Sequence, residues 1–178
     1  MDVRGKRLLV IGGAGLIGSH AVDALRTEDV GEIISYDNFV RGRPENLTDA
    51  LKDPRVKVFD IGGDICQTDV LEAAMDKIDG VFHFAALWLL QCHDFPRSAF
   101  DVNVRGTFNV LEACVKKSVK RLVYSSSASV YGDAVREPMD EDHPLLPSRP
   151  YATAQAGADR LVDSYVRTYD LPAVILRP

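Results

Sequence analysis

Short apolar runs on consecutive positions alternate along this chain with longer stretches in which apolar residues recur every three or four places. The runs cover 7–11, 32–36, 56–59, 80–84, 121–124 and 173–176 and are rich in Val, Ile, Leu and Phe. Apolar character on successive residues means burial on both faces, the mark of a parallel sheet covered by helices. The intervening stretches 17–28, 69–75, 98–117 and 151–169 carry helical spacing, as in Phe100, Val104, Phe108, Leu111 and Val115. Strand and helix in this alternation predict an α/β protein with a Rossmann-like, doubly wound parallel sheet and helices on both faces. One domain over 1–178 is expected, and the Pro-rich piece "PMDEDHPLLPSRP" at 138–150 reads as a functional loop.

Composition narrows the function classes. With 46% hydrophobic and 26% charged residues among 178, the chain can build a core without disulfide or metal. Its formal charge of −5 and scattered basic residues are a poor match for a nucleic-acid backbone. The apolar run before the first glycines is too short for a signal peptide or a membrane span, so no membrane association is expected. Cys66, Cys92 and Cys114 are odd in number and form no C-x-x-C, which suits reduced thiols in a cytoplasmic setting. No metal site is expected: Cys92, His93 and Asp94 are adjacent, and neighbours on a chain rarely converge on one ion. His83, in an apolar run, reads as a core histidine.

The segment "VIGGAGLIGSH" at 10–20 sets Gly12, Gly15 and Gly18 between the first strand and the first helix. Glycines there permit a tight turn, close approach to a pyrophosphate and close helix packing, while the helix N-terminus offers unpaired N–H groups. The same residue types build plain turns, but Asp37 follows Gly18 by 19 residues at the end of the second strand. A carboxylate there accepts hydrogen bonds from ribose hydroxyls and repels a 2′-phosphate, favouring NAD over NADP. Arg41 and Arg43 stand close enough in sequence to receive a phosphate.

Taken with "YDN" at 36–38, "GDI" at 63–65, "HFAA" at 83–86, "NVRGTFNVLEA" at 103–113, "SSSASVYG" at 125–132, Tyr151 and "LRP" at the end, the chain resembles the extended short-chain dehydrogenase/reductase superfamily, in its UDP-glucose 4-epimerase-like, nucleotide-sugar epimerase and dehydratase branch. The resemblance implies NAD as cofactor, a nucleotide-sugar substrate, a homodimer formed through the helices near 98–117 and 151–169, and a C-terminal substrate domain absent from this chain. By position it implies that Leu16 and Ile17 bind the pyrophosphate through their backbone, Asp37 and Asn38 the ribose, and Asp64 and Ile65 the adenine. Phe84, Ala85 and Ala86 would line the nicotinamide side, with Asn103 close to the cofactor. Ser127 resembles the catalytic hydroxyl and Tyr151 the acid/base. Trp88 and Gln91 follow the lining segment and either face the sugar or pack.

One position departs from the pattern. The family motif is Tyr-x-x-x-Lys, and Gln155 stands where the lysine belongs. A free phenol has a pKa of about 10, and bringing it to about 7 takes roughly 4 kcal/mol, for which a fixed cation is the obvious source. Glutamine can donate a hydrogen bond to ribose but has no charge to give. The expectation is an NAD-dependent nucleotide-sugar epimerase or dehydratase with impaired proton transfer. The alternative is a non-catalytic NAD-binding module or redox-responsive regulator, and an engineered inactivation at Gln155 is a third possibility.

Overall fold

Each of the six apolar runs contributes a strand to one sheet. The structure is a computed structural model that describes residues 2–178. The strands are β1 (Arg7–Ile11), β2 (Glu32–Tyr36), β3 (Val56–Val58), β4 (Gly80–His83), β5 (Arg121–Ser125) and β6 (Ala173–Leu176), in the order β3-β2-β1-β4-β5-β6 with every neighbouring pair parallel. The chain builds outward from β1 to β3, then crosses to β4 and builds the other way. That reversal opens a crevice at the carboxyl ends of β1 and β4, where ligands of such sheets bind.

Successive strand residues point to opposite faces. Leu9 and Ile11 accordingly join Val81, Leu122 and Tyr124 beneath α2 (Thr68–Ala74), α5 (Thr107–Lys116) and α6 (Pro150–Tyr169). Leu8, Val10 and Ile33 join Val22 of α1 (Leu16–Arg26), with Leu47 and Ala50 from two 3₁₀ turns before β3. The central strands are thus covered on both faces, as the runs predict, while the edge strand β6 leaves Val174 and Leu176 exposed.

The stretch read as one helix over 98–117 is three pieces. Pro96 starts a single turn, α4 (Pro96–Ala99), a π-helical segment follows over Phe100–Gly106, and α5 completes it. Before them stands α3 (Leu89–Asp94), which the periodicity does not signal. The 138–150 connection holds no strand and only the first residue of α6. It is anchored by His143, which is buried, accepts from the Val135 amide at 3.0 Å and lies edge-on to the Tyr131 ring. Among the described residues no helix is long and apolar enough to cross a membrane.

Candidate functional site

The turn from β1 into α1 is built so tightly that side chains are excluded from it. Gly12 has φ +79°, and a Cβ there would stand 2.8 Å from the Ala85 amide nitrogen after β4. A Cβ at Gly18 would stand 2.0 Å from the Gly12 carbonyl oxygen. Gly15 caps α1 without a side chain, leaving the first helical amides, Leu16 and Ile17 among them, facing outward. Both of those side chains are exposed, at 76% and 55%.

Asp37, one residue past β2, is buried and turned back onto this loop. Its Oδ2 accepts from the Ala14 amide at 2.9 Å and its Oδ1 from the Phe39 amide at 2.8 Å. A carboxylate has about four acceptor positions, so each oxygen keeps one for a hydroxyl. The backbone crosses close by on two sides: a Cβ at Gly63 would fall 2.2 Å from the Asp37 carbonyl carbon, and one at Gly42 would fall 2.6 Å from its carboxylate.

These loops enclose a cavity of about 420 Å³. It brings together Gly12, Gly15, Asp37, Asn38, Asp64, Ile65, Phe84, Ala85 and Ala86, nine of the residues singled out from sequence. Leu87, Gln91, Phe95, Ser98 and Val102 complete the wall after β4, and Val40, Arg41 and Gly42 the wall after β2. At the mouth the Arg41 guanidinium carbon lies 4.4 Å from the centre of the Trp88 ring.

Asn103 lies outside the cavity lining. It is 1% exposed, in the middle of the π segment, and clasps the loop after β4: its Oδ1 accepts from the Leu87 amide at 2.7 Å and its Nδ2 donates to the Leu87 carbonyl at 3.0 Å. Its amide therefore shapes the cavity wall from behind. π segments recur at functional sites.

Beyond that wall, the end of β5 and the start of α6 carry the polar residues. Ser127 is half-buried and begins a 3₁₀ turn, its Oγ accepting from the Ser129 amide at 3.2 Å, which leaves its own proton free to donate. Tyr151, half-buried, is the second residue of α6. Gln155 is 2% exposed, and its Oε1 is reached by the Tyr124 hydroxyl at 3.5 Å. Burial pushes the Tyr124 phenol well above its ordinary pKa, with Asp159 and Tyr151 adding in the same direction. His83 at the end of β4 lies 3.1 Å from the Thr107 hydroxyl, and burial lowers its pKa to about 4.

A buried ion pair ties this region together. Arg177 donates from Nε to Asp159 Oδ2 at 2.9 Å and from Nη1 to the Tyr131 hydroxyl oxygen at 3.0 Å. The Asp159 side chain is fully buried, and desolvation raises its pKa even against the pull of Ser126 and Arg177. The sequence signals neither this pair nor the Gly42 and Gly63 approaches to Asp37. The glycines are visible beside "YDN" and "GDI", but a partner 18 residues away has no local signal.

The family model described as NAD dependent epimerase/dehydratase family matches residues 8–178. A dTDP-glucose 4,6-dehydratase of Actinoplanes sp. is 34% identical over 96% of this chain and 55% of its own length. A UDP-glucose 4-epimerase of Lacticaseibacillus casei is 33% identical over 96% of this chain and 50% of its own. Among solved structures, the dTDP-glucose 4,6-dehydratase DesIV from Streptomyces venezuelae, with NAD and TYD bound, matches with TM-score 0.90 at 35% identity, covering 96% of this chain and 55% of that one. The UDP-glucose 4-epimerase from Brucella ovis in complex with NAD matches with TM-score 0.87 at 30% identity, over 97% and 51%. The chain spans about half the length of the curated relatives it matches.

Proposed function

The chain belongs to the NAD dependent epimerase/dehydratase family, and from that premise we propose that it holds NAD over the ends of β1, β2 and β4 as the cofactor-binding portion of a nucleotide-sugar epimerase or dehydratase. The observation that carries this reading is the cavity in which a glycine turn too tight for any side chain meets the buried carboxylate of Asp37. Those residues suit NAD. The α1 N-terminus would take the pyrophosphate on the Leu16 and Ile17 amides, and Asp37 with Asn38 would take the ribose. Asp64 and Ile65 would border the adenine, and Phe84 to Ala86 the nicotinamide side. Asn103 acts through Leu87. The dehydratase and epimerase relatives supply the substrate class, a nucleotide sugar, and a homodimer through the α5 and α6 faces belongs to the same reading.

When bound, NAD supplies a hydride acceptor and, later, a hydride donor. The protein's part is proton transfer and positioning. Tyr151, ionised to its phenolate, takes the proton of a sugar hydroxyl and becomes the neutral phenol, and the Ser127 hydroxyl donates to that same sugar oxygen. Gln155 offers a buried amide where a cation would assist Tyr151, so a loss of about 10²- to 10⁴-fold in turnover is expected against a lysine-bearing enzyme. The uncharged amide at Gln155 is also what favours the second reading, an NAD-binding module without catalysis.

Titration calorimetry with NAD⁺, NADH and NADP⁺ tests the cofactor assignment: saturable binding of the first two, weaker for NADP⁺, is expected, and no heat from any of them removes it. For catalysis, Gln155→Lys in a full-length version, one with measurable turnover on UDP-glucose or dTDP-glucose, is expected to raise that turnover with little change in NAD affinity. Equal turnover in both proteins shows that the missing charge is immaterial.

A further inference from the structure

We propose that Arg41, stacked on Trp88, is a cationic ligand for the cofactor pyrophosphate, closing the groove opposite the α1 N-terminus. The inference rests on the NAD reading above and adds a residue to it. Arg41 stands in the loop after β2 and Trp88 in the loop after β4, and β1 lies between those two strands. A contact of 4.4 Å between guanidinium carbon and ring centre must therefore pass over the carboxyl end of β1, where Gly12 and Gly15 turn the chain into α1. That is where the pyrophosphate of an adenine dinucleotide lies in such a sheet.

Charge points the same way. Among the residues that line the cavity, Asp37 and Asp64 carry negative charge and Arg41 is the one cation. A pyrophosphate bears two negative charges, and backbone amides at a helix end give only partial positive charge in return. A guanidinium offers five N–H donors in a planar fork suited to phosphate oxygens, and it can stack on an aromatic face while donating from its edge. Trp88 thereby fixes the donor plane before the ligand arrives. The other phosphate that an arginine here could meet is the 2′-phosphate of NADP, but the Asp37 carboxylate occupies that end, against Gly42, and opposes it.

The test compares ligands with and without a pyrophosphate. Arg41→Ala is expected to weaken NAD⁺ and ADP-ribose by about 10- to 100-fold, the size of a lost charge-assisted hydrogen bond, while leaving adenosine within about twofold. Arg41→Lys keeps charge without the planar stack and should fall between. Trp88→Ala should weaken NAD⁺ by about 3- to 10-fold and Trp88→Phe by less, following the strength of cation–π stacking. Trp88 is the chain's one tryptophan, so its emission reports the contact directly: NAD⁺ and ADP-ribose should shift it in the native protein, and ADP-ribose much less in Arg41→Ala. Arg41 is exposed on a loop, and unchanged circular dichroism and melting establish that its variants fold. Native protein that binds neither NAD⁺ nor ADP-ribose overturns the cofactor reading and this inference with it. Native protein that binds both, with Arg41→Ala equal to it, overturns this inference alone. An Arg41→Ala loss confined to NADP⁺ also overturns it, assigning the residue to a 2′-phosphate.

Discussion

A methyl group added at Gly18 would meet the Gly12 carbonyl oxygen at 2.0 Å, backbone against backbone, whereas one added at Gly157 meets nothing within 4 Å. Both glycines are helical, yet the expected effects of alanine are opposite. Gly18→Ala must lift α1 from β1, costing about 1–3 kcal/mol as overpacking does, and it should abolish NAD binding by moving the helix N-terminus. Gly157→Ala fills open space in α6 and should stabilise the protein by about 0.5–1 kcal/mol. Urea denaturation midpoints measure both. The glycine turn and Asp37 were legible in sequence because their spacing along the chain places them at the ends of β1 and β2, where the structure brings them into one cavity. Asn103 was legible only as a position: nothing local says that its amide clasps Leu87 from behind the cavity, because that contact depends on how the π segment meets the loop after β4.

Between elements, the tie that matters most for the candidate catalytic residues is the Asp159–Arg177 pair. It joins α6, which carries Tyr151 and Gln155, to the end of β6, and through the Tyr131 hydroxyl to the turn that Ser127 begins. The Asp159 side chain is fully buried and that of Arg177 is 18% exposed. Removing one partner leaves an uncompensated buried charge, so Arg177→Met should cost about 3–5 kcal/mol, and Asp159→Leu combined with Arg177→Met should recover most of it. Thermal melting of the single and double variants checks this, and full recovery by the double variant would mean that the pair gives orientation rather than stability. Element order and strand extents were legible because apolar runs buried on both faces leave little ambiguity. The break of the 98–117 stretch into α4, a π segment and α5 was not, since an inserted residue preserves apolar spacing on either side of the irregularity.

The molecule as a whole should lose stability in mild acid through one side chain. His83 ends β4, in register with Ile11 of β1 and Tyr124 of β5, and its ring lies 5.5 Å from that of Tyr124. Its Nε2 meets the Thr107 hydroxyl and its Nδ1 has no partner, so a second proton would charge the ring with nothing to receive it. Burial holds its pKa at about 4, against an ordinary 6.5. As pH falls below 6.5 the unfolded chain takes up this proton while the folded chain does not, so stability is present above 6.5 and is lost progressively down to about 4, by up to roughly 3 kcal/mol. Glu32, whose pKa is lowered chiefly by its hydrogen bond with Lys57, loses its contribution only below its ordinary 4.5. Asp159 works in the opposite sense, because its raised pKa favours the folded state as pH falls. His83→Phe isolates the histidine: it should be less stable at pH 7, where Thr107 loses its partner, yet nearly flat between pH 6.5 and 4.5, where the native protein slopes. NAD at saturating concentration, by binding only the folded protein, should shift the acid midpoint of the native protein downward by mass action. Parallel slopes in the native protein and His83→Phe would place the acid sensitivity elsewhere.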